Sequence, residues 1–288
     1  MITPHQILER IDYFTESTTD QSPRDWLGAS QIGEKCVRKL WYDFRRCNHE
    51  RFDARMLRLF ATGDRQEPVM VALLRGAGFE VETPNEGDKE AFRFKDCEGH
   101  FAGTCDGVAR EILSPEDEEY ADALGAENEW FLLEMKTWKS ETKLQPSPGF
   151  ETLVKQGVKS AAPKHYSQMQ VYMGELKLSR ALYCARNKNN DDLYFEWVEF
   201  DAQHFDECLN KAETVITATE PPQRYSDDRN SFTCKYCIHN SICHANKPVS
   251  ESNRHCRNCT HGAPAAGGTW ECRKGHTFGT ICGDYQSV

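Results

Sequence analysis

The sequence predicts an α/β protein, with a mixed central sheet flanked by helices and a cysteine-rich segment after it. Three observations lead there. Short stretches with strand-like patterning (79–82, 91–94, 100–110, 129–138, 181–185 and 194–200) are separated by helical patterns. Two of the stretches carry acidic residues that face one another, Asp106 on one and Glu134-Met135-Lys136 on the other. Pro221-Pro222 then ends the regular pattern, and paired cysteines follow.

Taken in order, residues 2–14 read as a short helix followed by a Ser/Thr/Asp-rich linker. Ser30 reads as the N-cap of an aromatic helix containing Cys36, Arg38, Trp41 and Tyr42. A second helical pattern places Phe52, Met56, Leu59, Phe60 and Gly63 on one stripe. Glu67 lies one turn beyond Gly63, and Pro68 disfavours helical geometry at Glu67, so a kink or restart is expected there. Residues 151–176 form a helical pattern broken at Pro163, whose first half presents Lys155, Lys159 and Lys164. Those lysines suit phosphate contacts, and a solvated helix face explains them about as well. The strands 181–185 and 194–200 are joined by a polar turn, 186–192, and a helix at 202–218 closes the core. Four segments result: an N-terminal helix and linker (1–27), the core (28–220), a first cysteine segment (221–250) and a second (251–288).

Bulk properties narrow the function classes. With 288 residues, 39% hydrophobic and 28% charged, the chain can bury a sizeable core and is globular. No apolar run would span a bilayer and the N-terminus has no signal-peptide pattern, so no membrane association and a cytoplasmic location are expected. In that reducing compartment, thirteen cysteines point to metal or cluster ligation before disulfides. A net charge of −10 argues weakly against a nucleic-acid partner, but much of it comes from residues 111–129, read as a solvated loop between the two acid-bearing strands.

On a strand, side chains alternate faces, so Glu134 and Lys136 point one way and Met135 points back into the core. Carboxylates on neighbouring strands can hold a divalent cation by oxygen, with a lysine beside it. Such a set suits phosphodiester hydrolysis: the cation screens the phosphate and lowers the pKa of water, and the ammonium orients that water or stabilises developing charge. The bland alternatives are a plain turn at Asp106-Gly107 and a same-face surface ion pair between Glu134 and Lys136. The apolar run 131–133 speaks against the second, because a buried strand needs a reason to end in two charges.

The cysteines form two sets. Cys256-x2-Cys259-x12-Cys272-x9-Cys282 offers four thiolates at spacings that fit a zinc knuckle or ribbon, with Gly267 and Gly268 as the turn between its halves. Cys234-x2-Cys237-x5-Cys243 supplies three thiolates and needs a fourth ligand, for which His244 and Cys36 are candidates. Zinc and iron–sulfur clusters both accept such sets.

Together, Ser30…Cys36-x-Arg38, Asp106, Glu134-x-Lys136, Gln168-Met-Gln-Val-Tyr172 and Cys-x2-Cys-x5-Cys resemble the RecB-like branch of the PD-(D/E)xK nucleases. Within that branch the pattern is most similar to the iron–sulfur group, which holds CRISPR-associated RecB-like exonucleases, the AddB nuclease domain and phage relatives. The resemblance covers roughly residues 28–245. It implies a restriction-endonuclease-like core. It also implies Mg2+ or Mn2+ bound by Asp106, Glu134 and the Met135 carbonyl, with Glu67 as an upstream ligand for which His100 is a substitute. Lys136 would be the catalytic lysine, and Gln168 and Tyr172, a turn apart, would position DNA. Cys36, Cys234, Cys237 and Cys243 would hold a [4Fe–4S] cluster with a structural role. Residues 251–288 depart from the family pattern, with a structural cap as the default role.

The expectation is therefore a metal-dependent DNA exonuclease acting on single strands or duplex ends, in recombination, repair or end processing in a phage or bacterium. Its rivals are a non-catalytic DNA-end-binding scaffold that docks a helicase or annealing protein, and a structure-specific endonuclease.

Overall fold

A computed structural model describes residues 2–112, 128–142 and 148–288. Most of the acidic stretch expected as a solvated loop, including Glu116 to Asp122, lies outside the described residues. The chain divides into two units by contact: Arg58–Phe94 with Gly103–Phe205, and Met1–Leu57 with Lys95–Ala102 and Asp206–Val288. The four segments read from the sequence describe the same chain by composition, not by contact. No helix among the described residues is long and apolar enough to cross a membrane.

The first unit is built on a five-stranded mixed sheet. Its strands are β1 (Phe79–Glu82), β2 (Gly107–Glu111), β3 (Phe131–Trp138), β4 (Arg180–Asn187) and β5 (Leu193–Glu199), side by side in that order. The β3–β4 pair is parallel and the others are antiparallel. A parallel pair needs a long crossover, and here two helices, Phe150–Ala161 and Pro163–Leu176, provide it. The expected break at Pro163 is present because proline fits the first helical turn. A second break at Gly157 (φ 73°) accompanies the Glu196 carboxylate, which accepts from the Val158 amide at 2.7 Å.

Strand β3 reads as continuously apolar before its charges because both of its faces are covered. Phe131, Leu133 and Met135 join Met70, Val71 and Leu74 of the helix Glu67–Gly76, together with Val81, Ala109, Leu182 and Cys184, in one core cluster. Fully burying each of the larger side chains contributes roughly 1.5–3 kcal/mol. The alternate residues, Leu132, Glu134 and Lys136, point the other way, where Gln168 of Pro163–Leu176 meets Glu134.

The second unit contains the N-terminal helix Pro4–Thr18, the aromatic helix Val37–Phe44, the helix Ala202–Thr217 from Asp206 onward and both cysteine segments. Leu40, Trp41, Tyr42 and Phe44 are buried, and Trp41 Nε1 donates to the Ala218 carbonyl at 2.8 Å. Near the C-terminus, Gly262–Ala265 and Thr269–Cys272 pair antiparallel around Gly267 and Gly268, both at positive φ, as the expected turn requires.

Two local expectations are corrected. Ser30 is not the cap: a short helix, Ala29–Ile32, starts after Gly28, whose amide donates to Gln31 Oε1, and Cys36 precedes the aromatic helix. The stripe through Leu59 and Phe60 also fails, since these are 39% and 44% exposed and Ala54 and Leu57 are the buried residues of Ala54–Asp64. Apolar spacing gave a helix correctly there, but not which side of it is covered.

Candidate active site

Asp106 stands between two strands, Phe101–Thr104 and β2, so its side chain is aimed by a break in the backbone rather than by strand alternation. Pairing of Gly107 with Leu133 brings it beside β3, where Asp106 Oδ2 accepts the Met135 amide at 2.8 Å. A strand amide that donates to a side chain fixes that carboxylate before any ligand arrives.

Lys136 gathers the acids. Its Nζ lies 2.6 Å from Glu134 Oε1 and donates to Asp106 Oδ2 at 3.2 Å and to the Met135 carbonyl at 3.1 Å. The Glu134 contact is an ion pair by distance but lacks hydrogen-bond geometry, so buried Oε1 has no hydrogen-bond partner. Its other oxygen, Oε2, accepts from Gln168 Nε2 at 3.2 Å. Glu134 is fully buried, whereas the Asp106 and Lys136 side chains keep 16% and 26% exposure, so part of each is in reach of solvent.

Glu67 begins its helix with Pro68 beside it, matching the restart expected from sequence. It is partly buried, and burial first, then the charge of Asp106, push its carboxyl up to about 7. Burial likewise raises Glu134, with Lys136 opposing and Asp106 adding to the rise. Lys136 is itself raised: burial works against its charge, but Asp106 and Glu134 outweigh it. Three acidic groups thus act on one another around one ammonium. That excess of negative charge is what a divalent cation neutralises.

Tyr172 is 3% exposed and its hydroxyl donates to the Thr104 carbonyl at 2.9 Å, bracing the chain just before Asp106. Lys155, Lys159 and Lys164 are exposed. Lys159 pairs with Asp201 at 3.5 Å and sits 4.6 Å from the centre of the Tyr166 ring. His100, the substitute for Glu67, belongs to the other unit and contacts the Ala265 carbonyl through Nε2 at 2.8 Å. Sequence reading passed over His165. Its Nδ1 lies 2.8 Å from the Tyr183 hydroxyl, which accepts from Trp138 Nε1 at 2.8 Å. Burial, then the charge of Lys136, lower its pKa to about 4, so the ring is neutral. Its spacing from Gln168 and Tyr172 (i, i+3, i+7) puts it on their helix face and is the signal that could have found it.

Cys36, Cys234, Cys237 and Cys243 line one small cavity, with Arg38, Lys39, Tyr42 and His244 also around it. Cys256, Cys259, Cys272 and Cys282 line a second, with His276. None of the thirteen cysteines forms a disulfide. Among the described residues, however, no group of three or more His, Cys, Asp or Glu side chains forms a ready metal cage, so the expected metal sites are not preformed. Like-charged or bulky donors close around an ion only when its charge draws them in.

No family model and no curated protein sequence matches the chain. Among solved structures it is similar to SSO0001, with TM-score 0.43 and 15% identity over 82% of this chain and 96% of that one. It is also similar to LHK-Exo in complex with dAMP, with TM-score 0.43 and 15% identity over 66% of this chain and 86% of that one. A third is the alkaline exonuclease LHK-Exo from Laribacter hongkongensis, with TM-score 0.43 and 14% identity over 72% of this chain and 90% of that one.

Proposed function

We propose that the unit built on the five-stranded sheet is a Mg2+- or Mn2+-dependent DNA nuclease of the PD-(D/E)xK kind. It acts as an exonuclease on single strands or duplex ends, in recombination, repair or end processing. The observation that carries this reading is the position of the Lys136 ammonium: it touches one oxygen each of Asp106, Glu134 and the Met135 carbonyl. A cation of this chain already stands among the three oxygens to which the sequence resemblance assigns a metal. Glu134 Oε1 is buried and has the Lys136 ammonium, 2.6 Å away, as its contact, so it is the oxygen that a bound cation would share. Two carboxylates and a carbonyl are a hard oxygen set, suited to Mg2+ or Mn2+.

A divalent cation held there would screen the phosphate and lower the pKa of the attacking water. The chain's own residues do the rest. The Met135 amide holds Asp106 in place and Gln168 holds Glu134. Lys136 would orient the water and stabilise charge growing on the phosphate oxygens. Tyr172 and the neutral His165 keep the neighbouring backbone and the Tyr183–Trp138 pair in register. Cys36, Cys234, Cys237 and Cys243 are proposed as ligands of a structural [4Fe–4S] cluster, on the strength of their shared cavity.

The test is digestion of end-labelled linear single-stranded DNA with Mn2+ or Mg2+, by wild type and by Lys136→Ala. The variant is expected to lose about 10²–10³-fold in rate while keeping its fold. Circular single-stranded DNA should resist both. No cutting by either protein would remove the active-site reading and leave the DNA-binding scaffold in its place, and equal cutting by both would place the chemistry away from Lys136.

A further inference from the structure

We propose that Cys256, Cys259, Cys272 and Cys282 bind one structural zinc ion as four thiolates, and that this centre is the buried counter-charge of Arg45. The inference is independent of the nuclease reading, because all of its residues lie in the other unit.

The backbone around these thiols is shaped for a metal. The Cys259 amide donates to the Cys256 carbonyl at 3.3 Å and the Gly262 amide to the Cys259 carbonyl at 2.9 Å, giving two overlapping tight turns. Both cysteines of this double turn, a knuckle, line the same cavity. The knuckle also explains Gly262: a Cβ at that position would sit 2.2 Å from the Cys256 carbonyl oxygen. Gly262 pairs with Cys272 at the open end of the hairpin, which brings the third thiol back to the knuckle. Cys282 completes the lining of a cavity of about 20 Å³, a volume on the scale of a single ion or water.

The sulfur atoms are also provided with donors. The Gly279 amide donates to Cys256 Sγ at 3.2 Å and the Gln286 amide to Cys259 Sγ at 3.5 Å. Amides aimed at sulfur stabilise the thiolate, the form that binds metal. Cys256 Sγ, as a thiol, donates to the Thr280 carbonyl at 3.6 Å, a bond that ligation would replace. His276 lines the same cavity with its Nε2 engaged by Asp284 at 2.8 Å; the ion is assigned to the four sulfurs, which are sufficient for tetrahedral coordination.

Arg45 supplies an independent reason. It is 2% exposed, and its guanidinium donates only to carbonyls: Arg257 and Gly262 at 3.2 and 3.3 Å, and Ala218 at 3.3 Å. Among the described residues, the acidic groups that act on it are the thiols of Cys47 and Cys259, with no carboxylate. The guanidinium also lies over the Trp41 and Trp270 rings, 4.7 and 5.6 Å from their centres, and Arg273 adds a like charge. None of these partners is a carboxylate, and a buried cation without an anion is unfavourable. Four thiolates around Zn2+ carry a formal charge of −2, and Cys259 lies between the two knuckle residues whose carbonyls Arg45 holds. One ion therefore accounts for the knuckle, the sulfur-directed amides and the unpaired arginine. Tetrahedral four-sulfur coordination at about 2.3 Å suits zinc, and no residue of this cavity is shared with the cavity of Cys36, Cys234, Cys237 and Cys243.

The experiment is elemental analysis of the full chain, purified reduced and without added metal, alongside Cys259→Ser and Cys237→Ser. Wild type and Cys237→Ser should each hold one zinc per chain, and Cys259→Ser none. Should Cys259→Ser fail to fold, Co2+ exchange into the wild type decides, since four thiolates give the intense absorption of tetrahedral cobalt with sulfur-to-metal charge transfer. Zinc retained in Cys259→Ser, zinc lost in Cys237→Ser, or wild type lacking both zinc and the tetrahedral cobalt spectrum would overturn the proposal. DNA cleavage enters none of these readouts.

Discussion

The two units hold their reactive side chains in opposite ways. In the sheet unit, two of the three acids are fixed by groups of the fold itself, Asp106 by the Met135 amide and Glu134 by Gln168, and Tyr172 fixes the chain before Asp106. Beneath them lies an apolar cluster running from Met70 to Cys184. In the cysteine segments the support is thin. After residue 231 the buried apolar side chains are Cys234, Val249, Cys259, Ala263 and Trp270, and two of these five are proposed ligands. A sheet can hold its charged side chains in place without an ion, whereas short turns with so little apolar burial rely on the ion to hold them.

Removing bound metal separates the two designs most sharply. After treatment with a strong chelator under reducing conditions, hydrogen exchange should accelerate by orders of magnitude across residues 232–288. Amides of β3 and β4 should keep their protection, since their stability rests on the apolar cluster. Equal loss in both units would erase the contrast, and so would no loss in either.

Acidity comes next. Cation binding to the sheet site requires Glu67 and Glu134 to shed protons that burial holds unusually tightly, Glu67 up to about 7. Mn2+ affinity should therefore rise between pH 6 and 8, by up to about tenfold per unit for each proton released. Stability runs the other way. The folded state keeps these protons where the unfolded chain, at the ordinary value of 4.5, has released them. Without added divalent cation, stability should thus fall as pH rises from about 4.5 through 7. A melting temperature that climbs over that interval would show that these carboxyls are not raised.

A smaller effect tests how tightly the sheet unit is built. A Cβ on Gly103 would meet the Tyr172 hydroxyl at 2.8 Å, Tyr172 Cε1 at 2.9 Å and Phe94 Cε1 at 3.0 Å. Gly103→Ala must push the tyrosine ring aside, at a cost of about 1–3 kcal/mol, measurable as a lower urea midpoint. An unchanged midpoint would mean that the bracing is looser than the geometry indicates.

What could be read in the sequence follows the same division. The alternation of Glu134 and Lys136, the break at Pro163 and the helix restart at Glu67 are local, and each is visible in a few neighbouring residues. The strand read at 91–94 is shifted to Arg93–Asp96, because Asp88 caps a 3-10 turn over Lys89–Phe92. The two-residue strand Leu27–Gly28 exists only through its pairing with Phe101–Ala102, which no local pattern encodes. Arg45 is the plainest case: an arginine beside an aromatic helix reads as surface, and its burial depends on carbonyls contributed from residues 218–262.

Tyr172 gives the finest discrimination. Sequence resemblance sets it against DNA, while its hydroxyl is spent on the Thr104 carbonyl and its ring packs 5.8 Å from Phe94, centre to centre. Tyr172→Phe keeps the ring and removes the hydrogen bond, which should lower stability by about 1 kcal/mol. If the hydroxyl only braces the strand, kcat should fall a few-fold at most, with KM for single-stranded DNA unchanged. A direct contact to the strand would instead raise KM and leave the urea midpoint where it was. Measured together, the two numbers say whether this residue belongs with the scaffold that holds Asp106 or with the surface that meets the substrate.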